Sequence, residues 1–117
     1  MRETYEAAFP AIGNNKLRKE ILMTLQEQGY YIPILIHPTA YVSASAKILK
    51  GTIIEPKAIV NANSKIEQGC IISVGAIVDH DVIVEQCAHV NAGAICKAGS
   101  IIEMERKLEA GQVVKGY

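Results

Sequence analysis

Two histidines and their neighbours hold the chemistry that this sequence offers. His80 stands in Val78-Asp79-His80-Asp81, with a carboxylate on each side, and His89 follows nine residues later. Imidazole titrates near neutrality, and an adjacent carboxylate raises its basicity and fixes its tautomer, which is what a general base requires. The competing reading is a solvated histidine between two unrelated acids, and spacing alone leaves the two even. For His89, spacing favours a packing residue over Ile71. Cys70, Cys87 and Cys96 are an odd set without a C-x-x-C pair, so neither a disulfide framework nor a zinc knot is expected. Cys70 and Cys96 read as small buried hydrophobes. Cys87 reads as the most reachable of the three, but no base beside it argues for a nucleophile.

The elements that must position these residues follow from a strict period. From Val42 to Val114 an aliphatic residue, or once a cysteine, returns every six positions, and a small residue follows four later, failing only at Arg106 and Gln112. A fixed period of six is the signature of a β-helix. In extended chain, positions i and i+4 share a face, so both columns point inward and the two residues between take a corner. Three hexapeptides make one coil, and residues eighteen apart stack. About four coils are expected, in an all-β-dominated chain.

On this register His80 lies at a corner and His89 on an outward face, half a coil apart and so on opposite sides of one prism. A closed trimer brings one subunit's His80 towards another's His89. An outward column of Ile59, Ile77, Ile95 and Val113 is wholly apolar, and a second reads Ile53, Ile71, His89, Lys107. Contiguous exposed apolar stripes usually mark an interaction surface, so a homotrimer through the first stripe is expected.

The first forty residues obey other rules. Ala7 to Ile12 reads as a short strand broken by Pro10. Asn14 and Asn15 supply N-cap chemistry, and Leu17, Ile21 and Leu25, with Leu22 beside them, mark an amphipathic helix of Asn15 to Gln28 closed by Gly29. Tyr30 to Ile36 reads as a strand. The sum is a short β-α-β segment over residues 1–40, remnant of a nucleotide-binding-type domain, ahead of the β-helix at 41–117. It must pack on the prism end or on a neighbouring subunit. No Gly-rich phosphate loop is present. His37 reads as a junction residue, and Glu103 to Lys107, dense in charge, as an exposed loop.

Composition narrows the partners. The 117 residues carry 12 basic and 12 acidic side chains with no basic cluster, which argues against nucleic acid and for a small molecule. No apolar stretch reaches membrane-spanning length and no signal peptide opens the chain. A cytoplasmic location without membrane contact is expected.

Three runs then carry a resemblance: Ile36-His37-Pro38-Thr39-Ala40, Ala58-Ile59-Val60-Asn61, and Gly69 to Asp81 with its V-D-H-D at fixed register. They resemble the left-handed β-helix acetyltransferases of bacterial surface sugars, the sialic acid O-acetyltransferase and UDP-amino-sugar N-acetyltransferase group. The resemblance covers Pro10 to Gly99. It implies a left-handed coil, a trimer, and acetyl-CoA held between adjacent prisms, with no metal. It makes His80 the general base supported by Asp81, and it places His89, Ser73, Ala98 and Gly93 around the coenzyme, with the Ala98 N–H as oxyanion donor. The reaction implied is acetyl transfer to a hydroxyl or amine of a sugar or nucleotide-sugar. Ser73 departs from the family's usual Asn. Two other readings stay open: a trimer of the same fold that has lost the chemistry, and a metal hydratase, which needs three converging histidines.

Overall fold

The computed structural model describes residues 6–117. From Leu35 onward the chain is a three-faced parallel β-solenoid of about four coils, built from two-residue strands. The His89 face stacks β1 (Leu35–Ile36), β4 (Ile53–Ile54), β7 (Ile71–Ile72) and β10 (His89–Val90). The stripe face stacks β2 (Tyr41–Val42), β5 (Ile59–Val60), β8 (Ile77–Val78), β11 (Ile95–Cys96) and β13 (Val113–Val114). The Lys65 face stacks β3 (Lys47–Ile48), β6 (Lys65–Ile66), β9 (Ile83–Val84) and β12 (Ile101–Ile102). Pairing is parallel in the expected register, as in Ile59↔Ile77 and Ile77↔Ile95.

The interior is the two inward columns. Ile54, Val60, Ile66, Ile72, Val78, Val84, Val90, Cys96 and Ile102 are fully buried, as are the small residues Ala58, Ala76, Ala88 and Ala94 between them. Three hydroxyls enter this core: Thr52 donates to the Glu67 carbonyl at 2.9 Å and Ser64 to that of Asp79 at 2.5 Å, while Ser100 Oγ is buried with no partner among the described residues. A buried hydroxyl left without an acceptor costs far more than a bonded one.

From Gly51 onward each corner turns at one left-handed residue, three after the inward aliphatic. Glycine fills six of these places, and Lys57, Asn63, Asp81, Cys87 and Glu105 fill the others, with φ between 57° and 63°. A side chain in that region costs roughly 1–2 kcal/mol. The coil beneath secures it by accepting the same residue's N–H, as Ala62 does for Asp81 at 3.0 Å.

Several expectations need correction. The coils begin at β1, ahead of Tyr41, because Leu35–Ile36 pairs with Ile53–Ile54. Of the two expected flanking strands, Ala7 to Ile12 reduces to a single parallel bridge, Ala7↔Tyr31, and Tyr30 to Ile36 keeps beyond it only β1, since Pro10 and Pro33 each withhold an N–H. Glu103 to Lys107, expected as an exposed loop or turn, is a turn held in the coil register. Glu105 takes the left-handed corner position, Lys107 bridges His89, and Leu108 is buried. Arg106 escapes the narrow interior by turning back to Glu103 at 3.0 Å.

The helix α1 (Asn15–Glu27) forms as expected, capped by the Asn14 side chain on the Leu17 N–H at 2.9 Å. Its buried side, however, is Arg18 and Leu22, with Leu25 partly buried, while Leu17 is exposed. It lies against the long side of the prism, over the corner column Gly51, Gly69, Cys87 and Glu105. Arg18 Nε donates to the Gly69 carbonyl at 2.6 Å and Nη2 to that of Cys87 at 2.9 Å. Asn15 and Lys19 hold Glu105. Cys87, expected to be reachable, is therefore fully buried beneath the helix.

Candidate active site

The corner between β8 and β9 holds His80 and Asp81. The left-handed turn at Asp81 places its carboxylate against the imidazole, with Nδ1 to Oδ2 at 2.7 Å. That hydrogen bond, aided by the charge of Asp79, raises the His80 pKa above its ordinary value, against slight desolvation. Nε2 of the exposed ring is left facing outward, unbonded, as a proton acceptor needs. Beneath it Asp79 accepts the His80 N–H at 2.8 Å and the Asn61 side-chain amide at 3.1 Å. These two bonds hold the Asp79 carboxyl below the usual carboxylate range.

Ala98 sits one coil above His80 at the same corner, where the Gly99 N–H donates to the His80 carbonyl at 3.2 Å. At several corners the equivalent N–H is capped by a side chain, Val74 by Glu55, Gln86 by Glu67, Ala92 by Asn91 and Met104 by Glu85. Lys97 has no acceptor to offer, so the Ala98 N–H carries no partner among the described residues. A cavity of about 520 Å³ opens there, lined by Asp79, Ile95, Lys97, Ala98, Lys115 and Tyr117. An unpartnered N–H one coil from a carboxylate-supported imidazole can stabilise an oxyanion as that imidazole takes a proton.

His89, Ser73 and Gly93 lie away from this corner. His89 is half buried on the opposite face, and its Nε2 meets Ser73 Oγ at 2.8 Å. Burial first, then the charges of Lys107 and Arg18, push the His89 pKa down. Gly93 turns the next corner with φ 66°, and a Cβ there would meet nothing within 4 Å. One chain thus joins His80 to Asp81 and Ala98, and His89 to Ser73, but leaves the two groups apart. His80 and His89 are perturbed in opposite directions, which polarises them into distinct roles.

Sequence reasoning missed Arg18 and the Asn61–Asp79 bond. Arg18 reads from sequence as a solvated helix cation, and only docking buries it. Asn61 and Asp79 stand eighteen apart, so the column register signalled their contact. A second cavity of about 230 Å³ lies between segment 9–13 and the His89 face, lined by Phe9, Ile12, Arg18, Ile53, Glu55 and Ile71.

No family model matches the chain. Among solved structures it is similar to the acetyltransferase domain of PglB from Neisseria gonorrhoeae FA1090, at 35% identity and TM-score 0.89, covering 91% of this chain and 52% of that one. The same domain in complex with acetyl coenzyme A matches equally. PerB from Caulobacter crescentus, in complex with CoA and GDP-perosamine, matches at 29% identity and TM-score 0.78, covering 91% of this chain and 60% of that one. The chain thus spans little more than half the length of the structures it matches. Fold, register and identity together make the chain similar to the left-handed β-helix acetyltransferases.

Proposed function

We propose that this chain is an acetyl-CoA-dependent acetyltransferase acting on a hydroxyl or amine of a sugar or nucleotide-sugar, working as a trimer in the cytoplasm. The observation that carries the reading is the His80 corner, where the imidazole is held by Asp81 at 2.7 Å and Ala98, one coil above, lines a cavity together with Asp79. Its similarity to a domain crystallised with acetyl coenzyme A supplies the donor. The perosamine enzyme's complex with GDP-perosamine supports a nucleotide-sugar acceptor.

In this mechanism His80 Nε2 takes the proton from the acceptor as its oxygen or nitrogen attacks the thioester carbonyl. Asp81 stabilises the imidazolium that forms. The developing oxyanion is met by the Ala98 N–H, and on collapse the C–S bond breaks and His80 returns its proton to the leaving thiolate. No covalent enzyme intermediate is needed. The cleft between prisms completes the site, since the half-exposed stripe Ile59, Ile77, Ile95 and Val113 offers each subunit an apolar face to its neighbour. Such packing brings His89, Ser73 and open Gly93 of one subunit towards His80 of the next.

Calorimetric titration with acetyl-CoA, with light scattering on the same sample, tests this. Saturable binding by a trimer is expected, with turnover on amino sugars that His80→Ala abolishes. A trimer that binds no acyl-CoA would refute catalysis and leave a structural role for the fold.

A further inference from the structure

The carboxylate of Asp79 offers more than its corner requires. Its Oδ1 accepts both the His80 N–H at 2.8 Å and the Asn61 side-chain amide at 3.1 Å. At another corner Asn91, also one residue past an inward valine, caps the Ala92 N–H at the same 2.8 Å with a neutral amide oxygen. Capping therefore needs no charge. The second oxygen, Oδ2, meets no donor among the described residues, Lys97 one coil above included, and the side chain lines the cavity of about 520 Å³ together with Ala98. The bonds from the His80 N–H and from Asn61 orient the carboxylate and hold it ionised. A free anionic oxygen thus stands at a fixed place, one residue from the base.

That oxygen separates the two acceptors which the proposed reaction leaves open. An attacking free amine bears two protons. One passes to His80 Nε2 as the C–N bond forms, and the other stays on the nitrogen, which gains positive charge in the transition state. A hydroxyl bears one proton, and once His80 takes it the oxygen turns only lone pairs towards a carboxylate. We propose that Asp79 Oδ2 accepts the retained N–H of an amine acceptor, so that the site selects an amino sugar over its hydroxyl counterpart. The proposal rests on the acetyltransferase reading above and narrows its acceptor. On collapse the C–S bond breaks, His80 returns its proton to the thiolate, and the products are the N-acetylated sugar and free coenzyme. A hydrogen bond to a group whose charge grows during attack lowers the barrier more than it tightens binding. The hydroxyl sugar would leave the carboxylate unpaired, which is the costlier arrangement.

The test pairs amino sugars with their hydroxyl counterparts, glucosamine with glucose and GDP-perosamine with its 4-hydroxy form, and reads acetylated product by mass spectrometry. Asp79→Asn keeps both Oδ1 bonds through its amide oxygen, as Asn91 does, and is expected to fold and assemble like the native chain. Rates are compared on the pH plateau, where the contribution of the Asp79 charge to the His80 pKa drops out. With the amine, kcat should fall about 10–100-fold in Asp79→Asn, the size of one hydrogen bond to a charged group, while KM changes little and any hydroxyl rate holds or rises. Carbon NMR of the Asp79 carboxyl, assigned by its loss in Asp79→Asn, reads the contact without turnover. It should move on adding the amino sugar that the native chain acetylates, and not on adding the hydroxyl counterpart. A carboxyl signal that does not move, an unchanged amine rate or an equal fall on both acceptors would overturn the proposal. Loss of the trimer in Asp79→Asn would assign Oδ2 to a neighbouring subunit and overturn it too. A native chain that acetylates no member of either pair would instead overturn the acetyltransferase reading itself.

Discussion

At the scale of single residues, the proposed base His80 and the proposed oxyanion donor at Ala98 can each be removed alone. His80→Ala should lower kcat by roughly 10²–10⁴-fold, the usual worth of general base catalysis, while acetyl-CoA affinity stays within a few-fold by calorimetry. Asp81 raises the His80 pKa. The base works only when deprotonated, so kcat/KM should fall as pH drops through that raised value. Asp81→Asn removes the cause, and the acid limb of the pH profile should move to lower pH. Ala98 allows a cleaner test. Pro38 and Pro56 occupy the same corner position in earlier coils, so the backbone there accepts proline and Ala98→Pro deletes little but the N–H. A loss of about 10²–10³-fold in kcat, typical of one oxyanion donor, should accompany a nearly unchanged melting temperature.

At the scale of elements, α1 is a strap along one corner of the prism. The corner accepts it because Gly51 and Gly69 carry no side chain. A Cβ at Gly69 would stand 2.7 Å from Cys87 Sγ and 3.0 Å from Leu22. Arg18 bonds the strap in place through carbonyls of two successive coils, and removing it leaves those carbonyls buried and unpaired. Arg18→Ala should destabilise the fold by roughly 2–4 kcal/mol in urea unfolding, at about 1–3 kcal/mol per orphaned group. It should also make Cys87 react with a thiol reagent far faster than in the native chain, where burial raises its pKa. Cys70 and Cys96, inside the prism with pKa values pushed to about 12, should stay inert in both.

At the scale of the whole molecule, the solenoid separates His80 from His89 by half a coil, and the proposed trimer is what would reunite them. Ile77 lies midway along the apolar stripe, between Ile59 and Ile95. Ile77→Glu points outward, so the core is untouched, but a charge enters the proposed interface. Light scattering should show monomer in place of trimer, with circular dichroism unchanged and activity lost together with assembly. An active monomer would refute the shared site.

The sequence by itself determined the prism. A period of six sets which residues point inward, and stacking by eighteen then follows from backbone pairing, so the faces, the corners and the place of His80 beside Asp81 were all legible. Even the Asn61–Asp79 contact lay in the register. The helix was legible as a helix, from its cap and its apolar spacing, but not its seat. Leu17, Ile21, Leu22 and Leu25 define a broad apolar arc, and the prism's glycine-lined corner chose the side centred on Leu22 and Arg18. A charge becomes a buried bonding group only when carbonyls from distant coils converge on it, and local sequence carries no trace of that. The same holds for Cys87, a corner residue by register and a buried one by docking. Long-range packing decides these features, because each depends on groups that meet after the coils have closed.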